Sequence, residues 1–321
     1  MSRALDLSKA HLVSSETLTL VRETAKRMGY RGDRVAGALR RGATGTVGVV
    51  VADLANPFIA PVIHGIARAI ATDHMLAMVV ETNDDHEQME SDLDHLLSRR
   101  VDAVIVAGAR FGDRAVLEAA SMHTPVILAV RGLPGCRLPQ VLHDDRGGGS
   151  LAAQHLLDLG HTRLAELRGP DDVGNFVARH EGFRDVCGRA GAHVIDLLEP
   201  SSRPNRAEGE RLARLLLEQH ERDLPTAVFA HNDLMALGAL GVFKKHGLRC
   251  PDDVSIVGYN NSPTIDQVDP PLTSVAYPGI EIGRAAGVLA MGIIANDHDA
   301  TPGSLLASSL IERASTSTPR S

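Results

Sequence analysis

Strand and helix patterns alternate regularly from Thr46 onward, and this alternation constrains the fold more than any other feature. The segment TVGVVVAD at 46–53 is rich in β-branched residues and carries no charge before its end, as expected of a parallel strand covered on both faces. A helical pattern follows, with Ile59, Val62 and Ile66 on one face. Because strands joined by such helices pair through right-handed crossovers, the alternation predicts parallel sheets.

The number of strand patterns predicts two lobes. About ten of them are too many for one open sheet, so we expect an α/β fold with two doubly wound parallel-sheet lobes. The predicted N-lobe is 46–143 plus about 277–305, and the predicted C-lobe is 144–276 plus about 306–321. Residues 1–45 form a separate leading segment. Ligands of such lobes bind outside the carboxyl ends of the strands, so a cleft between the lobes would collect the loops of both.

The bulk composition excludes several classes of protein. No apolar run approaches the roughly 18 residues that span a bilayer, and the first 30 residues contain no secretory signal pattern. The three cysteines, Cys136, Cys187 and Cys250, are odd in number and far apart, which argues against a disulfide framework or a zinc site. We therefore expect a cytoplasmic protein without cofactor, metal or membrane partner.

Charge is distributed unevenly along the chain. Residues 1–41 hold nine Lys and Arg against four Asp and Glu, whereas the remainder holds 24 against 36. The basic charge of residues 1–41, next to an acidic remainder, favours binding of this leading segment to a polyanion. The alternative is that the segment is a solvated tail.

The leading segment contains one helical pattern. Ser14 is the predicted N-cap and Gly29 the residue that ends the helix. Its apolar stripe consists of Leu18, Val21, Ala25 and Met28. A lone helix of this length is marginal in water, so we expect the stripe to pack against other structure.

The motifs of the whole chain, taken in order, resemble the lactose/galactose repressor (LacI/GalR) family of bacterial transcription regulators. The likeness begins with VSSETLTLVRETAKRMGY, RVAGAL and the stretch TVGVVVADLANPF, and it continues in LGHTRLAEL, RHEGF, HNDLMALGAL, PDDVSIVGYNN, DPPLTSV and ERAST. The resemblance implies two periplasmic-binding-protein-like lobes of type I, preceded by a partial helix-turn-helix and hinge segment, in a homodimer that binds an operator in double-stranded DNA. MSRAL resembles the last turn of the family's recognition helix, so we expect an earlier start codon; a headless relative is the alternative.

The segment RVAGALRR matches the family's hinge helix, in which Leu39 corresponds to the side chain that wedges between base steps in the minor groove. The DNA-binding residues that the resemblance and the charge imply are Arg3, Arg22, Arg34, Ala36, Leu39 and Arg40. Asp33 and Gly37 depart from the family pattern and imply a weaker or more effector-sensitive hinge. The alternative for this segment is a flexible linker.

The resemblance also places an effector site between the lobes. Arg179 in RHEGF matches the family's cleft arginine, whose guanidinium can bind two ligand oxygens as a fork. The effector-binding residues implied are Phe58, Asp144, Val173, Asn175, Arg179, Phe229, Asn232, Asp233 and Asn260. A structural ion pair with an interlobe carboxylate is the alternative role for Arg179, and capping of the following helix is the alternative for Asn232 and Asp233.

Motifs for an enzyme are missing from the sequence. DDRGGGS is rich in glycine but lacks the Gly-Lys-Ser/Thr ending of a P-loop, and neither a Gly-x-Ser-x-Gly elbow nor a His-Glu-x-x-His pair occurs. The resemblance implies a ligand-responsive, DNA-binding repressor whose effector is a small metabolite, a sugar, and the missing motifs favour this function over an enzyme. A headless cytoplasmic sugar-binding sensor and a solute-binding protein remain as alternatives.

The wedge assignment predicts the effect of Leu39→Ala. In a protein that carries a complete head, this variant should weaken binding to operator DNA more than binding to nonspecific DNA, since the wedge acts only on the bent operator. Fluorescence anisotropy with both duplexes measures the two losses, and equal losses would contradict the assignment.

Overall fold

The computed structural model describes residues 12–28, 43–197, 199–220, 223–296 and 303–320. The chain divides into two compact units, Met1–Gly45 and Thr46–Ser321. Each unit is described by itself below.

The described part of the first unit is the helix α1, Ser15–Arg27. Ser14 is its N-cap, as predicted, and its side-chain oxygen accepts a hydrogen bond from the backbone N–H of Thr17. Gly29, which the sequence predicts to end this helix, lies outside the described residues. Met28, the last member of the apolar stripe, is 76% exposed, so no packing partner covers it within the described residues.

The second unit contains two six-stranded sheets. The strands are β1 (Thr46–Val51), β2 (Leu76–Glu81), β3 (Ala103–Val106), β4 (Val126–Ala129), β5 (Gln140–His143), β6 (Arg163–Leu167), β7 (His193–Ile195), β8 (Ala227–Ala230), β9 (Ser255–Asn260), β10 (Thr273–Ala276), β11 (Ser304–Leu306) and β12 (Ser309–Ile311). The helices are α2 (Ile59–Ala71), α3 (His86–Ser98), α4 (Arg114–Ser121), α5 (Asp145–Asp158), α6 (Gly174–Arg189), α7 (Arg206–Gln219), α8 (Asp233–Lys245) and α9 (Gly279–Ile294).

The strand order is β11-β5-β4-β3-β1-β2 in the N-lobe sheet and β12-β10-β9-β8-β6-β7 in the C-lobe sheet. The chain therefore passes between the lobes after β5, after β10 and between β11 and β12. This arrangement confirms the prediction of two doubly wound lobes, while the domain boundaries given above stay a prediction. One strand pair is not parallel as predicted: β12 runs antiparallel to β10. A strand that arrives over a short link, without a crossover helix, is free to pair in that direction.

The strand β1 shows how the N-lobe core is built. Val47, Val49 and Val51 pack into the apolar cluster on one face of the sheet, which includes the buried side of α2. Val50 points to the opposite face, where it packs in a second cluster with Leu93 and Leu96 of α3. Both faces of this strand are buried, which is why its sequence is apolar without alternation.

Glycines permit the close crossing of α2 and α9. A Cβ on Gly65 would lie 2.2 Å from the carbonyl oxygen of Ile280, and a Cβ on Gly283 would lie 2.0 Å from the carbonyl oxygen of Val62. Real Cβ atoms do not approach backbone oxygens so closely, so each of these positions requires glycine.

We expect Gly283→Val to lower the free energy of unfolding by about 3 kcal/mol or more, because the added side chain forces the two helices apart. Gly188→Ala is the matched control: a Cβ at Gly188 in α6 meets nothing within 4 Å. That variant should be stabilised by roughly 0.5–1 kcal/mol. Urea unfolding measures both changes, and a small loss in Gly283→Val would show that the helices can separate at little cost.

Candidate functional site

A cleft between the lobes collects residues that follow the carboxyl ends of strands in both sheets. The N-lobe lines it with Ala52, Asp53, Asn56, Phe58, Ile59, Asn83, Asp84, Ala107, Val130 and Arg131. The C-lobe lines it with Asn175, Phe176, Arg179, Arg203, Pro204, Asn205, Asn232 and Asn260. This is the position at which open α/β sheets bind ligands.

The structure brings five of the nine predicted effector residues to the wall of the cleft. They are Phe58, Asn175, Arg179, Asn232 and Asn260. Phe58 belongs to the N-lobe and the others to the C-lobe, so this set spans both sides of the cleft.

The other four predicted residues do not line the cavity. Asp144 caps α5, where its carboxylate accepts a hydrogen bond from the N–H of Gly147. Val173 is fully buried at the N-cap of α6. Phe229 is fully buried in the C-lobe core and stacks on Phe183, with 5.0 Å between ring centroids.

Asp233, the fourth of these residues, is fully buried and forms part of the C-lobe interior. Its carboxylate oxygens accept hydrogen bonds from the hydroxyl of Ser274 and from the N–H of Ser262, both at 2.7 Å. Burial raises the pKa of Asp233 to about 6, against the smaller opposing effect of these hydrogen bonds. The side chain thus links α8 to β10 and to the loop after β9.

Arg179 is the most deeply buried charged group of the cleft wall, with 2% of its surface exposed. Its Nε donates to Asp145 at 2.8 Å and its Nη1 to the carbonyl oxygen of His231 at 2.6 Å. The guanidinium carbon lies 3.6 Å from the ring centroid of Tyr259. Burial alone would lower the pKa of Arg179, but Asp145 and Tyr259 outweigh it and raise that pKa. Arg179 therefore stays charged, and the ion pair that sequence reasoning offered as an alternative is present.

The ring of His143 lies where the chain crosses between the lobes. Its Nε2 is 3.0 Å from the hydroxyl of Ser308, between β11 and β12. Its Nδ1 is 3.2 Å from the hydroxyl of Tyr259, and its ring centroid is 4.2 Å from that of Tyr277, which follows β10. Since Tyr259 also stacks on Arg179, one continuous set of contacts joins the cleft arginine to all three crossings.

Asn232 caps α8, as the alternative reading proposed. Its Oδ1 accepts from the N–H of Met235 at 2.8 Å, and its Nδ2 donates to the carbonyl oxygen of Pro204 at 2.6 Å. The second bond fixes the segment that brings Arg203 and Asn205 to the cleft. Asn232 thus shapes the cleft wall in addition to lining it.

Asn175 and Asn260 present amide groups to the cleft. Asn175 is 7% exposed, and its Oδ1 has no hydrogen-bond partner in the part of the chain that the structure describes. Asn260 ends β9 with φ of 110°, a left-handed conformation that is costly for a residue with a side chain. A buried acceptor without a donor and a strained backbone are both features that cluster at functional sites.

Sequence reasoning missed a set of charged residues at the mouth of the cleft. Arg131 pairs with Asp84, both in the N-lobe. Burial alone would raise the pKa of Asp84, but Arg131, Arg110 and Arg203 outweigh it and lower that pKa. Arg131 and Asp84 follow β4 and β2, and residues after the carboxyl ends of strands are where open α/β sheets bind ligands, so this position along the chain could have indicated them.

Arg110 joins the two lobes. Its Nε and Nη2 donate to the two carboxylate oxygens of Asp172 at 2.8 and 2.7 Å. The N–H of Phe111 donates to the carbonyl oxygen of Asp172 at 2.9 Å. These bonds link the loop after β3 in the N-lobe to the segment before α6 in the C-lobe.

A buried carboxylate lies behind the C-lobe wall. Glu166 on β6 is 1% exposed and accepts hydrogen bonds from the rings of His231 and His180 at 2.7 and 2.8 Å. Burial alone would raise the pKa of Glu166, but these two hydrogen bonds outweigh it and lower the pKa to about 2. Burial also lowers the pKa of His231, against the opposing effect of Glu166.

The predicted DNA-binding residues cannot be placed from this structure. Arg3, Arg34, Ala36, Leu39 and Arg40 lie outside the described residues. Arg22 belongs to α1, but its side chain is outside the described part of the chain. Among the described residues, no group of His, Cys, Asp and Glu has a geometry suited to a metal ion. None of the described helices has both the length and the apolar character needed to cross a membrane.

Comparison with known proteins gives consistent matches. A family described as a periplasmic binding protein-like domain matches residues 153–316. The HTH-type transcriptional repressor CytR of Escherichia coli strain K12 is 30% identical over 304 residues, which cover 95% of this chain and 89% of CytR. The transcriptional regulator CelR, solved as a cellobiose complex, matches with a TM-score of 0.78 and 29% identity, covering 94% of this chain and 91% of that one. A LacI family transcriptional regulator from Enterococcus faecium with bound ribose matches with a TM-score of 0.76 and 26% identity, covering 86% of this chain and 100% of that one.

Two α/β lobes around a polar cleft define a protein of the periplasmic-binding-protein class. The identity to CytR along nearly the whole chain defines the family more narrowly. The chain belongs to the LacI family of transcriptional regulators.

The low pKa of Glu166 predicts how Glu166→Gln changes stability in acid. The folded pKa of about 2 lies below the ordinary 4.5, so the contribution of Glu166 is complete above pH 4.5 and is lost as the pH falls toward 2. Between pH 4.5 and pH 3 the wild type should therefore lose roughly 2 kcal/mol that Glu166→Gln does not lose. Urea unfolding at both pH values measures the difference, and parallel losses in the two proteins would contradict it.

Proposed function

We propose that this protein is a ligand-responsive repressor in which a small polar metabolite, a sugar, binds between the lobes and changes the affinity of a homodimer for its operator. The observation that carries the proposal is Arg179. This buried guanidinium reaches the cleft and is joined through Tyr259 and His143 to the crossings between the lobes.

The side chains of the cleft wall suit a sugar. Hydroxyl groups both donate and accept hydrogen bonds, and the amides of Asn175 and Asn260 can do the same. The unpaired Oδ1 of Asn175 requires a donor, which a ligand hydroxyl supplies. Phe58 and Phe176 offer apolar faces from opposite lobes for the ring of a ligand. The cellobiose complex of CelR and the ribose complex of the Enterococcus faecium regulator support this class of ligand.

The contacts around Arg179 support a route from ligand to lobe angle. A ligand that accepts a hydrogen bond from the guanidinium changes the pairing of Arg179 with Asp145. Asp145 lies at the start of α5, directly after the crossing from β5. Asp145 lies 3.7 Å from the ring of His143. A ligand shifts the equilibrium between lobe arrangements only as far as it binds them unequally, so these contacts need to differ between the two arrangements.

The DNA-binding half of the proposal rests on the family and on the charge of the leading segment. Residues 1–41 carry the excess of Lys and Arg, and phosphate contacts supply much of the affinity for DNA. We assign Arg3, Arg22, Arg34 and Arg40 to such contacts. In a dimer, a change in lobe angle would alter the spacing of the paired hinges that contain Leu39.

A thermal-shift panel of sugars and nucleosides, including ribose and cellobiose, identifies the class of effector. A compound that binds the native state raises the melting temperature. Arg179→Lys should weaken binding of the best compound by roughly 10- to 100-fold, because Lys keeps a charge beside Asp145 but loses the fork geometry.

Arg163→Lys is the control for that variant, since Arg163 pairs with Asp223 in the same lobe and does not line the cleft. It should bind as the wild type does. If calorimetry gives the same affinity for Arg179→Lys as for the wild type, the effector does not bind beside Arg179, and the proposal is refuted.

A further inference from the structure

Glu166 does not line the cleft, yet its contacts lead to the cleft wall. The N–H of Gly169 donates to Nδ1 of His231 at 3.0 Å, so Nδ1 carries no hydrogen. The hydrogen of the neutral ring is therefore on Nε2, which donates to Glu166 at 2.7 Å. Both ring nitrogens are engaged, and the orientation of the His231 ring is fixed at both ends.

His231 in turn supports two residues of the cleft. Its ring lies parallel to that of Phe176, with 7° between the planes and 6.1 Å between centroids. Its carbonyl oxygen accepts a hydrogen bond from Nη1 of Arg179 at 2.6 Å. The Arg179 guanidinium carbon lies 5.0 Å from the Phe176 centroid, so Phe176 contacts both His231 and Arg179.

An ionised carboxylate is a costly way to fill this position. Taking the charge out of water carries a large penalty, and apolar residues of similar volume often stabilise a fold as well or better. What the carboxylate supplies and an apolar side chain does not is a fixed direction for the Nε2–H of His231. The second oxygen of Glu166 has its own partners: His180 donates to it at 2.8 Å, and Arg184 lies 3.5 Å from it.

We propose that Glu166 is a positioning residue for the effector site: through His231 it holds Phe176 and Arg179 in the arrangement that receives the ligand. This inference rests on the proposed function of the cleft and extends it to a group that does not touch the ligand. If the carboxylate contributed only to stability, ligand affinity would fall in parallel with the melting temperature across variants of Glu166 and His231.

The decisive variant is the double substitution Glu166→Leu with His231→Phe. It removes the carboxylate and the imidazole together, so that neither of these two is left buried without the other. The Gly169 N–H and the ring of His180 each lose a hydrogen-bond acceptor, so the melting temperature should fall by a few degrees. Exchange of the Gly169 amide should become at least tenfold faster, because its acceptor on His231 is gone. Affinity for ribose and for cellobiose, measured by calorimetry, should fall at least tenfold for whichever sugar the wild type binds.

Glu166→Gln provides the conservative comparison. Its amide oxygen still accepts from Nε2 of His231, so binding should stay within about threefold of the wild type even though the protein is less stable. Nitrogen-15 spectra of the His231 ring should show hydrogen on Nε2 in both proteins. Asp253→Asn is the matched control, since Asp253 pairs with Arg249 and Arg320 in the same lobe away from the cleft.

The inference is overturned if ligand affinity falls in parallel with the melting temperature across these variants. It is also overturned if exchange of the Gly169 amide is unchanged in the double variant. If the wild type binds neither sugar, amide exchange at 168–179 and the ring spectra test the inference. Faster exchange at 168–179 in the double variant supports it, and unchanged exchange overturns it. The proposed function fails separately, through unchanged affinity in Arg179→Lys.

Discussion

The pairing of the Arg179 guanidinium inside the C-lobe is the interaction on which the rest of the site depends. A buried charge is tolerated only when its partners are close and well aligned. Asp145 supplies the opposite charge, Tyr259 supplies a ring face, and the carbonyl oxygen of His231 supplies an acceptor. Because these partners come from α5, β9 and the loop after β8, satisfying one side chain brings three separate segments together.

Close helix packing follows from the same requirement. Arg179 lies on α6, and α5 has to approach it closely enough for Asp145 to pair. A Cβ on Gly149 would lie 2.1 Å from the carbonyl oxygen of Arg179, and a Cβ on Gly182 would lie 1.9 Å from that of Arg146. The glycine-rich DDRGGGS, which has no P-loop ending, therefore serves this helix contact and the approach of Tyr259 to Gly148.

Sequence reasoning was strongest where a local pattern carries the information. Short windows of sequence were enough to predict the alternation of strands and helices, the cap at Ser14 and the position of Asn232 after β8, where it lines the cleft. Phe229 shows the limit of such windows. Its strand is buried on both faces, so nothing local indicates whether its ring points toward a ligand or, as in the structure, toward Phe183.

Residue types and their spacing along the chain were enough to specify the elements, their order and the two-lobe class, whereas the arginine at 179 was indicated by the family resemblance. They did not specify which charged groups meet. Glu166 and His231 are 65 residues apart, and Arg110 and Asp172 are 62 apart. Helix and strand periodicity arises between near neighbours, whereas these pairs form only after two sheets and their loops have packed. The hydrogen bonds behind the cleft wall, and the contact between Arg110 and Asp172, could therefore be identified only in the folded chain.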